Sequence, residues 1–497
     1  MENTDPRCTW RVVDDRRLPA LEPFADDVRR YDPVVLRETM WDTDDRVLAA
    51  EGVTLLHGDA GWSVDRGDGP VPVGVDLDEG DALDGDRVPR DAVEVFLRGR
   101  DLRVVRVRDT VTALVELRGR DGRLRAEVAD VRVDEGDPET ALLRSARWWA
   151  LTDDGRAGTI ARAAERALAD AAEGADGVRG GVGVGVGGGV GVGVGSTTTE
   201  APGRLLPERR QRTAKRPGRG SAAAALREVL RALRVDLVAV DPRVRLDERE
   251  SVHDLRKVLR RLRSVLAAFR GALDPDATET LRAELGAVAR VAGVARDAEV
   301  LRDRLLRTAA RAPEGYVDAE TLDRIGRHVD ESRTAAAAEL RHTLRSPTWF
   351  AALDHLDDLI DRAPRGPHAD ADAAGFAVRR IAHERTRVAR TVAGRVEMLD
   401  DLHEVRKAAR RLRYAQEAAG DGPDLGKRRS GLLERTQETL GEVLDAAHAT
   451  TAYREFAGLA ARRGEDTFGY GALATTEHAV VERGWRRARK VLDRLRT

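Results

Sequence analysis

A pattern of twelve residues occurs twice in the second half of the chain and constrains its fold more than any other feature. Val252-His-Asp-Leu-Arg-Lys-Val-Leu-Arg-Arg-Leu-Arg263 matches Leu402-His-Glu-Val-Arg-Lys-Ala-Ala-Arg-Arg-Leu-Arg413, 150 residues further along. An α-helix turns by about 100° per residue, so the apolar positions fall on one side of each segment and most basic positions on the other. The repeat therefore predicts two equivalent amphipathic helices.

Each predicted helix carries a row of cations opposite its apolar stripe. The first row is His253, Arg256, Lys257 and Arg260, flanked by Arg261 and Arg263; the second is His403, Arg406, Lys407 and Arg410, flanked by Arg411 and Arg413. Like charges at these spacings repel by a few tenths of a kcal/mol per pair. A solvated basic face would explain an ordinary arginine run. Repetition of the row, with lysine at the same place in a chain of 80 arginines and five lysines, favours an anion-binding site.

The distribution of charge supports an anionic partner for the second half. Residues 1–200 contain 27 basic and 41 acidic residues, whereas residues 201–497 contain 58 and 46. Such asymmetry is typical of chains in which one part binds a polyanion. Three further basic lines are individually more typical of solvated faces. They comprise Arg379, His383, Arg387 and Arg390; Arg227, Arg231 and Arg234; and the segment 485–490.

The chain divides into two domains of different character. Residues 1–180 contain short β-branched segments separated by turn signals, including Asp121-Gly122, and predict a mostly antiparallel β domain followed by helices over 142–150 and 160–172. Residues 181–220, in which Gly and Val alternate before a basic stretch, predict a linker. Residues 221–497 have helical periodicity, and prolines such as Pro242 and Pro347 divide them into about eight to ten helices.

Composition excludes several classes of protein. The single cysteine, Cys8, rules out a disulfide framework and a cysteine-based metal site. No apolar run is long enough to span a bilayer or to serve as a signal peptide, so we expect a soluble cytoplasmic protein without membrane contact. Aromatic residues make up only 4% of the chain, which is a poor supply for stacking on single-stranded bases.

Residues 221–497 resemble the CHAD family, the conserved-histidine α-helical domain, through both histidine-containing helices. Two segments add to the resemblance: Val294-Ala-Arg-Asp-Ala-Glu-Val300 is similar to the family's R-D-x-D-V segment, and Leu440-Gly-Glu-Val-Leu-Asp445 is similar to L-G-x-x-N-D with Leu444 in the Asn place. Tyr414 follows the second motif, as in the family. The resemblance implies two four-helix bundles related by a pseudo-twofold axis, with a basic groove between them.

The family resemblance also implies that the chain binds inorganic polyphosphate and gathers on polyphosphate granules. We expect no cofactor and no metal, because histidines set among so many cations make a poor divalent-cation site. The predicted polyphosphate-binding residues are His253, Arg256, Lys257, Arg260, Arg261, Arg263, Arg296, Arg379, His383, His403, Arg406, Lys407, Arg410, Arg411, Arg413 and Tyr414.

The first half resembles a degenerate CYTH domain, a β-tunnel that hydrolyses triphosphates with a divalent metal. The resemblance lies in residues 41–55, 60–62 and 124–133. The sequence differs from the family at the residues that bind metal and phosphate. Arg7, Thr9 and Arg11 stand where the family has its metal-binding E-x-E-x-K start, and Leu56, His57, Gly58 and Asp65 stand where it has phosphate-binding cations. Glu127, Asp130, Arg106 and Arg108 remain as candidate tunnel residues, which would not suffice for turnover.

The sequence thus predicts an α+β two-domain chain: an N-terminal antiparallel β domain, the degenerate CYTH-like tunnel, and a C-terminal all-α pair of pseudo-symmetric four-helix bundles. The leading function is non-enzymatic binding of polyphosphate. One alternative is binding of a nucleic-acid backbone, which the same cations could hold although no base-reading motif is present. The other alternative is a metal-dependent triphosphatase, which requires an active first half. The sequence does not determine the oligomeric state.

Overall fold

The computed structural model describes residues 8–13, 15–67, 69–73, 88–138, 140, 142–153, 158–172, 220–394, 396–420 and 427–496, the side chains of 427–430, 433 and 495–496 excepted. The chain separates into two compact units, Met1–Arg210 and Gln211–Thr497. The predicted linker lies outside the described residues except for Gly220. No helix in the described ranges is both long enough and apolar enough to cross a membrane.

The first unit is built on one antiparallel sheet of nine strands, in the order β1-β9-β8-β7-β3-β4-β5-β6 with β2 also paired to β7. The strands are β1 Cys8–Val12, β2 Asp27–Arg30, β3 Val34–Asp42, β4 Thr54–Gly58, β5 Gly61–Asp65, β6 Pro70–Pro72, β7 Arg103–Arg118, β8 Leu124–Gly136 and β9 Leu143–Asp153. Three helices accompany them: α1 Val47–Ala50, α2 Glu94–Leu97 and α3 Thr159–Ala172. The prediction of an antiparallel β domain is confirmed.

The long hairpin β7–β8 turns at the predicted Asp121-Gly122 pair. Gly122 has a φ of 72°, in the left-handed region that glycine adopts without steric cost, and its amide donates to the carbonyl of Gly119 at 2.8 Å. The expected helix over 142–150 is wrong, because this segment forms β9 and pairs with β8 from Ala126↔Asp153 to Gly136↔Leu143. Here the main-chain pairing overrides the helical preference of Ala and Leu.

The two faces of this sheet differ in what covers them. One face packs against α3 and places Val115, Leu117, Val128 and Trp149 in a common core. The opposite face carries a smaller apolar cluster in which Leu114 and Trp148 pack on Ala129, Val131 and Ala150. Since side chains alternate along a strand, register alone assigns every other strand residue to one of these faces.

The second unit is all-α, and the part of the chain that is described contributes nine helices to it. They are α4 Ala222–Arg245, α5 Ser251–Ala268, α6 Pro275–Ala310, α7 Ala319–Leu344, α8 Pro347–Asp361, α9 Ala373–Ala393, α10 Leu399–Ala419, α11 Lys427–Arg462 and α12 Phe468–Arg496. Asp274, Asp318, Ser346 and Asp372 cap the helices that follow them through side-chain oxygens, as Ser221 does for α4. Pro242 lies inside α4, so the break expected there is wrong.

The nine helices form two sets of four, α4–α7 and α9–α12, joined by α8. Consecutive helices pack within each set, and equivalent helices of the two sets also touch: α4 with α9, α5 with α10, and α6 with α11. Contacts between equivalent elements are what a pseudo-twofold axis produces. At one end the sets share a core that includes Leu305, Ile325, Tyr453 and Leu473. The predicted all-α architecture of two related four-helix sets is confirmed.

Candidate functional site: an arginine cluster between two equivalent helices

The two motif helices, α5 and α10, pack against each other at the pseudo-twofold axis. Their apolar stripes are buried as periodicity predicts, with Leu255 and Leu259 on α5 and Leu402 and Val405 on α10 fully excluded from solvent. Burial of these stripes fixes the rotation of each helix about its axis. The basic rows are thereby turned toward one another and toward solvent.

Four arginines meet where the helices cross. Arg256 and Arg260 come from α5, and Arg406 and Arg410 come from α10. The charge of Arg256 lowers the pKa of each of the other three arginines. Burial is the largest cause of the lowered pKa values of Arg260, Arg406 and Arg410. We call Arg256, Arg260, Arg406 and Arg410 the arginine cluster.

Arg410 shows the electrostatic strain of the cluster most clearly. Burial, followed by the charges of Arg260 and Arg406, lowers its pKa to about 9. The Arg410 guanidinium group therefore remains charged near neutral pH, although it is partly desolvated and close to Arg260 and Arg406. An anion placed among them would relieve both the repulsion and the loss of hydration.

Two carboxylates lie at one end of the cluster. Arg256 donates from Nη1 to Oδ1 of Asp297 at 2.8 Å, and Asp445 occupies the equivalent place beside Arg406. The two aspartates are 148 residues apart in the sequence. Burial raises the pKa of Asp445, and the Arg406 charge opposes that rise. Arg260, Arg406 and Arg410 have no carboxylate within 4.0 Å among the described residues, and Asp445 acts on Arg406 from a longer distance. The cluster therefore carries more positive charge than its own carboxylates neutralise.

One glycine lies beneath Arg256 and another lies beneath Arg406. A Cβ on Gly441 would come within 3.0 Å of Nη2 of Arg406, and one on Gly293 would lie 3.9 Å from Nη2 of Arg256. Arg256 also donates to the carbonyl of Gly293 at 3.3 Å. Gly441 is thus required for the close approach of Arg406 to α11, and Gly293 stands in the equivalent place, again 148 residues earlier.

Tyr414 closes the other end of the cluster. Its side chain is buried, and its phenol lies near Arg260, where it opposes the lowering of the Arg260 pKa by burial. The neighbouring Arg413 places its Cζ atom 5.0 Å from the Tyr414 ring centroid and lies 3.7 Å from Glu417. Tyr414 therefore places a neutral phenol beside the arginines.

Both lysines and both histidines of the motif lie at the rim of the cluster. Lys257 and Lys407 are exposed, and Lys407 donates to Oε1 of Glu404 at 2.8 Å. Burial lowers the pKa of His253 and His403; Arg296 and Arg260 lower that of His253 further, and Lys407, Arg406 and Arg410 do the same for His403. Both imidazoles are consequently neutral around pH 7 when no anion is bound.

Arg296 on α6 lies beside the first histidine. It donates to Oε2 of Glu299 at 2.9 Å and lies 3.5 Å from Glu250. Arg263 faces α6 instead, over Gly286 and close to Arg282 and Arg290. These two predicted site residues border the cluster but are not members of it.

Arg261 and Arg411 are equivalent residues that hold the helices together. Arg411 donates to the carbonyl of Ala267 at 3.0 Å and to Glu384 of α9 at 2.6 Å. Arg261 reaches Glu417 and Asp236 at 3.8 and 4.0 Å. The partners also correspond: Glu417 lies 150 residues after Ala267, and Glu384 lies 148 residues after Asp236, so each arginine reaches nearly equivalent places in the two sets. The guanidinium group of Arg411 in particular is held by hydrogen bonds to α9 and to the end of α5, and so has a structural role.

The structure does not bring Arg379 and His383 into the cluster. Both lie on the exposed face of α9, in line with Arg387 and Arg390. Of this line, Arg387 acts on the motif helix α10: its charge lowers the pKa of Glu404 and of Arg411. Sequence reasoning missed Asp297 and Asp445 as partners of the cluster; both were visible in the two segments that resemble the family, but their pairing depends on how α6 and α11 pack.

In the first unit, the candidate tunnel residues divide between the two faces of the sheet. Register places Thr9, Arg11, Arg106, Arg108 and Glu127 on the face of Leu114 and Ala129. Asp130 lies on the opposite face, where it forms a two-bond ion pair with Arg147 at 2.6 and 2.8 Å, so the expectation that it joins the others is wrong.

The remaining polar residues of this unit serve local structure. Arg106 and Arg108 share Oε1 of Glu135 at 3.2 and 3.0 Å. Burial, followed by Glu116, raises the pKa of Glu127. Asp65 accepts from the amides of Gly67 and Gly69 and so closes a turn. Arg7 lies outside the described residues, within which no group of three His, Cys, Asp or Glu side chains is arranged to hold a metal ion.

Comparison with known proteins identifies the helical unit. Residues 224–454, within the helical unit, match the family model of the CHAD domain. Two curated relatives from Mycobacterium tuberculosis, uncharacterized protein MT2285 of strain CDC 1551 / Oshkosh and uncharacterized protein Rv2226 of strain H37Rv, are each 34% identical over 257 residues. These residues are 50% of this chain and 48% of each relative, so the chain spans about half the length of the curated relatives it matches.

Two solved structures are similar to the chain. PptA from Streptomyces chartreusis aligns with a TM-score of 0.47 at 22% identity, over 55% of this chain and 99% of that one. The CHAD domain from the plant Ricinus communis aligns with a TM-score of 0.45 at 23% identity, over 56% of this chain and 97% of that one.

Proposed function

We propose that the CHAD domain binds inorganic polyphosphate without chemically altering it. The observation that carries the proposal is the arginine cluster: four partly buried guanidinium groups from two equivalent helices, three of them without a carboxylate within 4.0 Å in the described part of the chain. Such a cluster is destabilised by its own repulsion and desolvation. It is suited to an anion that offers several charges at short intervals.

The chemistry of polyphosphate fits the symmetry of the cluster. Arginine binds phosphate oxygens through pairs of parallel hydrogen bonds, and the rim lysines Lys257 and Lys407 add mobile point charges. A linear polyphosphate is chemically the same when read from either end, and the cluster is likewise nearly unchanged by exchange of α5 and α10. A single nucleic-acid strand has a direction and carries bases, for which the cluster offers only Tyr414 as an aromatic surface, and that ring is buried.

The test is a competition experiment at one fixed salt concentration. Labelled polyphosphate is bound to the full chain and displaced with unlabelled polyphosphate, duplex DNA or single-stranded RNA at equal phosphate concentration. Polyphosphate should compete at least about tenfold better than either nucleic acid. Equal competition by DNA or RNA would favour the alternative, a general phosphodiester-backbone binder.

We further propose that this binding recruits the protein to polyphosphate granules, and that the first unit is a CYTH-like domain without triphosphatase activity. The second proposal is supported by the face that would line the tunnel, where Thr9 and Arg11 stand in place of the family's metal-binding residues and pair with Ala150 and Trp148 of an apolar cluster. Imaging of a fluorescent fusion in cells with and without polyphosphate tests recruitment. The fusion should be diffuse when polyphosphate is absent or when Arg260 and Arg410 are both replaced by glutamine.

A further inference from the structure

The equivalent helices α4 and α9 each carry five arginines, but they differ in how those arginines are partnered. On α4 every arginine has an acceptor. Arg227 donates to the carbonyl of Ile360 at 2.7 Å, and Arg234 donates to Asp357 at 2.5 Å. Arg231 pairs with Glu228, Arg243 with Glu248 and Asp254, and Arg245 with Asp241. Four of the five arginines of α4 are therefore paired with carboxylates within the fold.

On α9 only Arg380 has a hydrogen-bond acceptor in the described part of the chain, the carbonyl of Ala268 at 2.5 Å. Within that same part, Arg379, Arg385, Arg387 and Arg390 have no carboxylate within 4.0 Å. The one acid of this helix, Glu384, is fully buried and pairs with Arg411 from α10. The charges of these four arginines are thus not offset by carboxylates of the described part of the domain, and an external anion could bind them.

The exposed cations of α9 form a line on a helix that packs against the motif helix α10. Arg379, His383, Arg387 and Arg390 are four, four and three residues apart and all are exposed. At a rise of about 1.5 Å per residue the line is roughly 16 Å long. Arg387 acts on Glu404, the carboxylate that pairs with the rim residue Lys407. We call Arg379, His383, Arg387 and Arg390 the α9 row.

We infer that a long polyphosphate chain leaves the arginine cluster over α10 and continues along the α9 row, with no equivalent path along α4. The pseudo-twofold symmetry of the fold is thereby broken by the ligand path. Like charges at these helical spacings repel by a few tenths of a kcal/mol per pair, and a bound polyanion removes that cost. This inference rests on the proposed function, because it extends the ligand of the arginine cluster.

Chain length distinguishes the two sites experimentally. Tripolyphosphate is short enough to be held by the arginine cluster alone, whereas long-chain polyphosphate can occupy the cluster and the α9 row together. The test variant of the full chain is Arg379→Gln, Arg387→Gln, Arg390→Gln. The matched control is Arg231→Gln, Arg307→Gln, Arg327→Gln, which removes the same charge from a half-buried position on α4 and from exposed positions on α6 and α7. Both affinities are measured by titration calorimetry at several salt concentrations.

The test variant should bind long-chain polyphosphate at least about fivefold more weakly than the control, and its log–log salt slope should fall by about 2, as loss of three phosphate contacts on a single strand implies. Its affinity for tripolyphosphate should equal that of the control. Equal long-chain affinity and equal slope in the two variants would overturn the inference. Failure of the unmodified chain to bind either polyphosphate would instead overturn the proposed function, and the inference with it. Replacing the same three residues by lysine should keep most of the long-chain affinity.

Discussion

Arg411 donates from Nη2 to Oε1 of Glu384 at 2.6 Å, and Glu384 has no exposed surface. The arginine belongs to the basic motif of α10, yet its guanidinium group is held between a buried carboxylate on α9 and the carbonyl of Ala267 at the end of α5. Three helices thus meet at one charged residue. The same motif therefore supplies both the binding cluster and a structural ion pair, and mutation should separate the two roles.

Replacing Arg411 by methionine should destabilise the domain while leaving the arginine cluster intact. Removing one partner of a buried pair leaves an uncompensated charge, which costs about 3–5 kcal/mol. Urea unfolding followed by the helical circular dichroism signal measures the loss. The double variant Arg411→Met, Glu384→Leu should recover most of it, because both charges are then gone. An unchanged unfolding midpoint in the single variant would contradict a structural role for Arg411.

The sequence predicted the rotation of the motif helices but not this division of labour. Periodicity placed Leu255 and Leu259 inside and Lys257 outside, and both predictions are confirmed. Whether an arginine at the boundary joins the cluster, as Arg410 does, or pairs with the scaffold, as Arg411 does, depends on residues of other helices. Local sequence does not contain that information.

The first unit was predicted less completely for a similar reason. Trp148 and Trp149 lie in a segment expected to be helical, but main-chain pairing with β8 places their side chains on opposite faces of the sheet. Pro242 was expected to break a helix and instead lies in its last turns, where Asp241 accepts from Arg245 and from Nε1 of Trp349 at 2.8 Å. In both places tertiary contacts outweigh local preference.

Charge reversal at the two rim lysines, Lys257→Glu with Lys407→Glu, should abolish detectable polyphosphate binding without unfolding the domain. Both side chains are exposed, so the helical circular dichroism signal should not change. The introduced carboxylates would repel the ligand at both entrances to the cluster. The control is Arg362→Glu, an exposed cation on the segment after α8. A variant that loses helicity would show instead that these positions are structural.

Affinity for polyphosphate should fall steeply with salt. Each phosphate that is neutralised releases condensed counterions, so the logarithm of affinity falls linearly with the logarithm of salt concentration. If several of the motif cations are engaged, the dissociation constant should rise by at least about tenfold between about 50 and 200 mM salt. Filter-binding titrations across this range measure the slope. A flat profile would be inconsistent with an extended multi-contact ligand.

Binding should strengthen as the pH falls from about 7.5 toward 6, because His253 and His403 gain protons when the anion binds. Burial, together with neighbouring cations, holds the pKa of both imidazoles below the usual 6.5 in the free domain. A bound polyanion adds negative charge and raises these pKa values, so binding takes up protons and is favoured by acid. Replacing both histidines by glutamine should flatten the profile between pH 6 and 8. Identical pH slopes in the two proteins would assign the dependence to other groups.

The first unit should release no phosphate from tripolyphosphate with magnesium or manganese. A divalent ion needs several inward carboxylates, and hydrolysis needs a phosphate whose charge the metal neutralises. The sheet face expected to bind the metal offers Thr9 and Arg11 there, and Glu135 is already shared by Arg106 and Arg108. Glu127 remains, but burial beside Glu116 raises its pKa and makes it a poorer metal ligand.

Phosphate release is measured on the full chain with each metal and compared with a Glu127→Gln variant and a no-enzyme control. All three should be indistinguishable. Turnover by the unmodified chain that disappears in Glu127→Gln would falsify the proposal of an inactive unit.

A chain that lacks residues 1–200 should bind polyphosphate with an affinity that is unchanged or slightly higher than that of the full chain. That segment contains 41 acidic and 27 basic residues, and net negative charge tethered to the CHAD domain can only repel the polyanion or compete with it for the arginine cluster.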